Sequence, residues 1–337
     1  MTEAPTDTQA LTDEPAPGIQ RMAIPTPFAV GSVNSYLLTG EPLTLVDTGP
    51  NSGTSLDHLE RGLAEHGFRI EDLELIVLTH QHMDHEGLLE ILARRSGAQV
   101  AAFAPLAPWL ADYRASAKGD DAYAQDTMRR HGLPGEINMM LGLLTAGLHT
   151  YGSRGTVTLG LNDGDTLTMG SRQFSVHQRP GHSPSDLVFA DADAGVLLGG
   201  DHLLPRISSN ALVSRPLDGR SDGPRPTPLI DYARSLTATR AMDISAILPG
   251  HGDVIVDHTD LIDARLRDQG RRARKILSLL SERPLTAHQI ALKMWGEIAL
   301  TQAYLTLSEV LGHLDMLLAD GTVTETDTDG TSVFSAN

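Results

Sequence analysis

The chain has 337 residues, 40% of them hydrophobic and 20% charged, and a formal net charge of −17. It contains no cysteine, which excludes disulfides, thiolate metal sites and cysteine nucleophiles, so any metal must be held by His and carboxylates. The acidic balance disfavours general attraction to nucleic acid or anionic membranes, and no stretch approaches the roughly 18 uninterrupted apolar residues that span a bilayer.

Residues 1–18 are rich in Thr, Pro, Ala and acidic residues, without the basic start and apolar middle of a secretory signal. They read as a disordered tail, and cytoplasm is the default compartment. Residues 19–46 alternate strand-like runs with Gly and Pro turns, and the last run ends in Asp47-Thr-Gly-Pro. Leu56, Leu59 and Leu63 share one helical face, so 55–66 is expected to be a helix. Residues 73–79 read as a short buried strand, 87–95 as a helix and 98–104 as the next strand. This alternation predicts layers of sheet and helix.

Residues 105–151 differ. Trp109, Tyr123, Met128, Met139, Met140 and several Leu residues fall on expected helices, too apolar for a solvated linker. The stretch reads as a helical insertion that either covers something or adds core packing. Strands return over 156–189, with Gly181-His182-Ser on a turn, and 194–200 is an apolar strand ending in Asp201-His202. Residues 203–228 form a long loop rich in Arg, Ser, Pro and Gly, a length that points to function or mobility. A helix is expected over 231–240 and a strand over 244–248, followed at once by Pro249-Gly-His251-Gly.

From residue 259 the pattern is helical. Thr286 is a candidate N-cap, 305–318 a further helix, and 322–325 with 331–334 a hairpin. That order suggests a small winged-helix-like domain over 261–337.

Chemistry-bearing residues gather where strands end. Thr79-His80-Gln-His82-Met-Asp84-His85 packs three histidines and an aspartate into six residues, a metal-binding spacing. His182, Asp201 and His251 join them. Seven candidates (His80, His82, Asp84, His85, His182, Asp201, His251) are too many for one zinc, which takes about four ligands. They suit two zincs sharing a carboxylate. The other histidines read as surface or packing residues, with His202 ambiguous.

These motifs, in this order, closely resemble the metallo-β-lactamase superfamily over residues 18–260. The resemblance implies an α/β (α+β) fold, a four-layer αβ/βα sandwich of two sheets with helices outside, here over 19–260 and followed by the winged-helix domain. It implies one Zn2+ on His80, His82 and His182, another on Asp84, His85 and His251, and Asp201 bridging. Asp47 matches a position that supports the site through hydrogen bonds. A water between the metals would be the nucleophile, with Asp84 orienting it and passing its proton on. Iron or manganese could replace zinc.

Departures narrow the branch. Absence of cysteine, presence of Asp201 and His at 82 set aside the cysteine-ligating lactamases, the all-His lactamases and the flavodiiron-type members respectively. The glyoxalase-II, lactonase, phosphodiesterase and ribonuclease branches remain. The C-terminal part is similar to the winged-helix domain of a β-lactamase-like endoribonuclease family. Its 306–318 helix offers no Lys or Arg, however, and its wing tip is acidic. The basic run 265–275 reads as a solvated or ion-paired face, so nucleic acid is disfavoured as a partner. The domain is expected to pack on the catalytic part, shape its pocket or support a homodimer. The expected function is hydrolysis of a small ester-like molecule, a thioester or lactone. Arg206, Arg215, Arg220 and Arg225 are candidates for meeting an anionic group on it. The alternatives are an endoribonuclease or phosphodiesterase on the same metals, and a non-enzymatic metal-bound regulator.

Overall fold

A computed structural model describes residues 11–220 and 223–337. Its first sheet has seven strands in sequential order: β1 (Thr12–Ala16), β2 (Ile19–Ile24), β3 (Val33–Leu38), β4 (Thr44–Val46), β5 (Leu75–Val77), β6 (Gln99–Phe103) and β7 (Leu159–Leu161). Pairing is antiparallel from β1 to β4 and parallel from β4 to β7. Pro25 and Pro27 follow β2 directly, since proline donates nothing to a ladder.

The second sheet runs β12-β11-β10-β9-β8, from β8 (Thr166–Met169), β9 (Arg172–Gln178), β10 (Leu187–Asp191), β11 (Val196–Gly200) and β12 (Ala246–Pro249). Alternation along its strands sorts side chains into two cores. Val196, Leu198 and Phe189 join the first sheet's buried residues in one cluster. Val188, Ala190, Leu197 and Ile247 face the other way, into a second. That second core is closed by Leu229, Tyr232 and Leu236 of α7 (Pro228–Arg240) and Ile262 of α8 (His258–Leu280), numbering helices in chain order. Leu59 and Leu63 of α1 (Gly53–Glu65) and Leu92 of α3 (Leu89–Ser96) join the first core. A one-turn helix α2 (Met83–Glu86) precedes α3. The architecture is the mixed sheet-and-helix sandwich expected.

One expectation fails. Thr12–Ala16, assigned to a disordered tail by composition, forms β1 on the sheet edge, with Arg21 bidentate on Asp13 at 2.7 Å. An edge strand tolerates Pro15 and polar side chains because one side of its backbone needs no partner. Residues 1–10 of that tail lie outside the described residues.

Residues 105–151 carry α4 (Ala107–Ala111), α5 (Tyr113–Arg130) and α6 (Gly135–Leu148). Beyond α8 come α9 (Ala287–Trp295), α10 (Ile298–Thr301), α11 (Ala303–Ala319) and the hairpin β13 (Val323–Thr328)–β14 (Thr331–Ala336). Thr286 caps α9 in a reciprocal box with Gln289. The third core is built from α8, α9 and α11 with Val323 and Phe334, and it takes in Met128 and Leu133 of the insertion and Val213 of the long loop. The C-terminal elements thus share one core with the 105–151 helices and the long loop.

In that third core His131 stacks on Phe334 at 6.0 Å. Burial, then Arg225 and Arg130, push its pKa down to about 3, with Asp126 opposing weakly. The unfolded value is near 6.5, so His131 costs no stability above that pH. Below it the unfolded chain takes up a proton that the folded chain refuses, and stability falls by about 1.4 kcal/mol by pH 5.5. Thermal unfolding of His131→Asn between pH 5 and 8 is expected to show a shallower loss on the acid side than the parent.

Candidate metal centre

The site forms where strands of both sheets end. Asp47 follows β4, His80 to His85 follow β5 and run into α2, Asp201 follows β11 and His251 follows β12. His182 comes from the turn between β9 and β10. The His251 loop is tied to β3: Asn34 Nδ2 and Tyr36 Oη donate to Pro249 O at 2.9 and 2.7 Å. Leu187 N donates to Thr79 O at 2.9 Å, linking the two sheets beside the cluster.

All seven predicted ligands converge, in the triads His80–His82–His182, Asp84–His85–His251 and His80–His85–Asp201. His82 Nδ1 lies 3.0 Å from His80 Nε2 and 2.9 Å from His182 Nε2. Asp84 Oδ2 lies 3.3 Å from His251 Nε2. Asp201 reaches both groups, with Oδ1 3.4 Å from His85 Nε2 and Oδ2 3.6 and 3.5 Å from His182 and His251 Nε2. Tetrahedral ligands about 2.0–2.1 Å from a zinc lie about 3.3 Å from one another, which these separations bracket.

The hydrogen bonds behind the rings fix which nitrogens face inward. His85 Nδ1 donates to Asp47 Oδ2 at 2.7 Å, His182 Nδ1 to Asn210 O at 3.2 Å and His251 Nδ1 to Ser32 O at 2.8 Å. Thr79 donates its hydroxyl proton to Asp47 Oδ2, so its oxygen accepts from His80 Nδ1 at 3.0 Å. In its neutral form each of these four rings therefore presents an Nε2 lone pair to the centre. The carboxylates add only acceptors. Buried His85 Nε2, His251 Nε2 and Asp201 Oδ1 have no hydrogen-bond partner among the described residues. A buried cluster of converging acceptors is costly unless a cation lies among them, and the donor set fits metal ions.

Titration behaviour divides the two triads. Burial, then the neighbouring imidazoles, hold His80 well below the ordinary value, and burial carries His82 down to about 3. These rings stay neutral, as ligation requires. Burial also disfavours charge on His85, but Asp201, Asp47 and Asp84 outweigh it and raise that ring.

Asp47 does what its motif position implies. Its Oδ1 accepts from Thr79 N at 2.9 Å while Oδ2 takes the His85 and Thr79 bonds, and it sits at φ 59°, a left-handed conformation that Asp tolerates better than most residues. Asp47→Asn puts an amide where two donors point and is expected to weaken metal binding by about 10–100-fold, measured by competition with a chromophoric chelator. Gly250 is needed for a different reason. A Cβ there would lie 2.3 Å from Asp201 Oδ1 and 2.7 Å from His85 Cε1.

The structure adds to the sequence reading at three points. His202 leaves the centre, its Nε2 2.9 Å from Thr239 Oγ1 in the core. His149, assigned to surface or packing, faces the cavity beside His82 and pairs with Asp121 at 3.3 Å. Each of the four loop arginines has a carboxylate partner: Arg206 with Asp253 and Arg220 with Asp218 at the exposed surface, Arg215 with Asp120 and Arg225 with Asp315 in more buried pairs. Sequence reasoning also missed Asn210, Ser32 and Gln81. The first two act through backbone carbonyls, which residue type does not reveal. Gln81 Oε1 accepts from Ser183 and Ser185, steadying the His182 turn.

A sandwich of two sheets with a His-rich acceptor cluster at one edge is the frame of a metal-binding protein, and its relatives make it a metal-dependent hydrolase. The chain belongs to the metallo-beta-lactamase superfamily, whose family model matches residues 29–251. It is 33% identical over 301 residues to a Bacillus subtilis protein described as probable metallo-hydrolase YqjP, covering 89% of this chain and 92% of that one. A Caenorhabditis elegans beta-lactamase-like protein 2 homolog is 24% identical, over 89% and 83% of the two chains. Among solved structures, a beta-lactamase domain protein from Burkholderia ambifaria superposes with TM-score 0.83 at 27% identity, over 98% and 97% of the chains. A metallo-beta-lactamase family protein from Thermus thermophilus gives 0.79 at 26%, over 96% and 99%.

Proposed function

We propose that this chain hydrolyses a small ester-like substrate, a thioester or lactone, at a dinuclear centre. The observation that carries the reading is the pair of ligand triads joined by Asp201, whose two oxygens face different rings. His80, His82 and His182 would hold one Zn2+, and Asp84, His85 and His251 the other, with iron or manganese as alternative occupants. When bound, the ions supply an acidified water and Lewis-acid stabilisation of the developing oxyanion. Asp84 is the carboxylate with most access to the cleft, its side chain 13% exposed against 8% for Asp201. Its Oδ2 faces His251, leaving Oδ1 to orient the attacking water and carry a proton. The water oxygen bonds to the acyl carbon, the C–S or C–O bond breaks, and the departing sulfur or oxygen receives the proton.

The rival is RNA cleavage by the same ions. The order α8, α9, α11 and β13–β14 supports a winged-helix-like reading of the C-terminal module, which is what favours RNA. Charge weighs against it. The formal net charge is −17, and within the basic run Arg271 lies 2.6 Å from Asp268, Arg272 pairs with Glu309 and Arg265 donates to the Leu204 and Ile207 carbonyls, while Arg267, Arg274 and Lys275 make no ion pair among the described residues. Phosphate recognition draws on available Lys and Arg. We read the module as a wall of the pocket, through Tyr304, and not as a nucleic-acid reader. Metal-loaded protein offered thioesters, lactones and single-stranded RNA is expected to turn over an ester; RNA cleavage without ester turnover would contradict the reading.

A further inference from the structure

A cavity of about 180 Å3 opens beside Gln81, His82 and Met83 and runs between α5, the long loop and α11. Trp109, Tyr113, Leu217 and Tyr304 form its walls. Each aromatic wall has its polar tip occupied by protein. Trp109 Nε1 donates to Asp120 Oδ2 at 2.8 Å, Tyr113 Oη to His149 O at 3.1 Å, and Tyr304 Oη to Val213 O. What they leave for a ligand is ring surface. The charged lining is likewise engaged internally. Arg215 donates to Asp120, Ser116 O and Gly219 O, and Asp121 pairs with His149. Such a lining offers an anionic group no unpaired cation.

Size then narrows the class. An apolar cavity of about 150 Å3 takes a benzene ring, so this one takes a phenyl group or a chain of about six carbons. Because it starts at His82, a group seated in it leaves its attached carbonyl at the ions. We propose that the cavity is an acyl pocket, and that the substrate is a thioester or ester of an uncharged apolar acid of about six carbons or its phenyl counterpart. Trp109, Leu217 and Tyr304 set that specificity. This rests on the ester-hydrolase reading above and adds the acyl group to it. The C-terminal module thereby acquires a role, since Tyr304 lies at the start of α11 and closes the pocket's far side.

The test is a set of acyl thioesters of one thiol, from acetyl to dodecanoyl with phenylacetyl, offered to the metal-loaded full chain. kcat/KM is expected to rise about 100-fold from acetyl to hexanoyl or phenylacetyl and to fall again at dodecanoyl. Ala117→Phe, which fills the pocket from α5, is expected to move the optimum to shorter acids, and Leu217→Phe serves if that variant does not fold. An independent readout is quenching of Trp109 by 4-nitrophenylacetamide, an uncharged analogue that binds without being hydrolysed and whose nitroaryl ring quenches indole emission, with Trp295 replaced by Phe. Turnover with no dependence on acyl length and no quenching overturns the acyl pocket and leaves the hydrolase reading standing. Quenching without turnover of any ester keeps the pocket and overturns the hydrolase reading.

A separate observation concerns α6. Its outer face exposes Met139, Met140, Leu143, Leu144 and Leu148, at 41–74% of their full areas, while Ile137 and Leu141 pack on the C-terminal core. Glu136 is its one charged residue. The face amounts to about 500 Å2 per molecule, or about 1,000 Å2 for a symmetric pair, the size of a weak, reversible interface. An acidic protein with no Lys or Arg on this helix is poorly matched to an anionic membrane. The face itself brings no charge to a two-fold contact, so no like charges oppose one another across it, and the net charge of −17 adds only a screened long-range repulsion. We infer that a second copy of this chain covers α6. Sedimentation of the full chain at about 50 μM is expected to give a dimer that Leu143→Glu converts to monomer with metal content unchanged. A monomeric parent, or a dimer indifferent to Leu143→Glu, overturns it.

Discussion

Asp201→Ala is expected to lower kcat/KM by more than about 100-fold, beyond the 10–100-fold typical of changes in residues that only support a ligand. It is also expected to convert one concerted metal titration into two unequal events. The reason is geometric. Among the described residues, Asp201 is the one carboxylate with an oxygen toward His85 and another toward both His182 and His251. Removing it leaves each triad with its imidazoles but takes away the negative charge that two cations would share. The residue is 6% exposed and its Oδ1 makes no hydrogen bond within the described chain, so the change removes little beyond that role. Asp201→Asn keeps the shape, withdraws the charge and is expected to lie between parent and Ala. Calorimetric titration with Zn2+ alongside initial rates checks both statements.

Stripping the metal is expected to destabilise the fold as well as stop the reaction. The Nε2 atoms of four histidines face two carboxylates in a buried space, and those of His85 and His251 have no hydrogen-bond partner among the described residues. Without a cation that region must take up protons or water, or relax. Binding to the native state alone adds about 4 kcal/mol when free metal stands at about 1,000 times its dissociation constant. Melting curves with and without 1,10-phenanthroline are therefore expected to differ by at least about 5 °C, with full recovery on adding Zn2+. The Asn34 and Tyr36 bonds to Pro249 anchor the His251 loop independently of metal, so the secondary structure is expected to persist and circular dichroism to change little at room temperature.

The centre was legible because its chemistry is carried by residue types that have few other reasons to cluster. His80, His82, Asp84 and His85 stand together in the sequence, and His182, Asp201 and His251 each mark a strand end or a turn. Their supporting shell was less so. Asp47 could be read from its motif, but Ser32 O and Asn210 O are backbone acceptors, available in principle from any residue. The pocket was harder still. The arginines of 203–228 display their charge in the sequence and conceal their partners. Asp120 and Asp315 lie 95 and 90 positions away from Arg215 and Arg225, and only the packing of α5 and α11 brings them in. His149 is aimed at the cavity by α6 for the same reason. β1 escaped because an edge strand is held by backbone bonds, to which a Thr-Asp-Glu-Pro composition gives no clue.

The central claim is a two-ion centre built by seven side chains. Elemental analysis of the full chain, purified without added metal and again after dialysis against equimolar trace Zn2+, Fe2+ and Mn2+, tests it most directly. Two ions per chain, reduced in His182→Ala and in His251→Ala alike, is the predicted result. One ion or fewer per chain after dialysis, or a content indifferent to both substitutions, would contradict it.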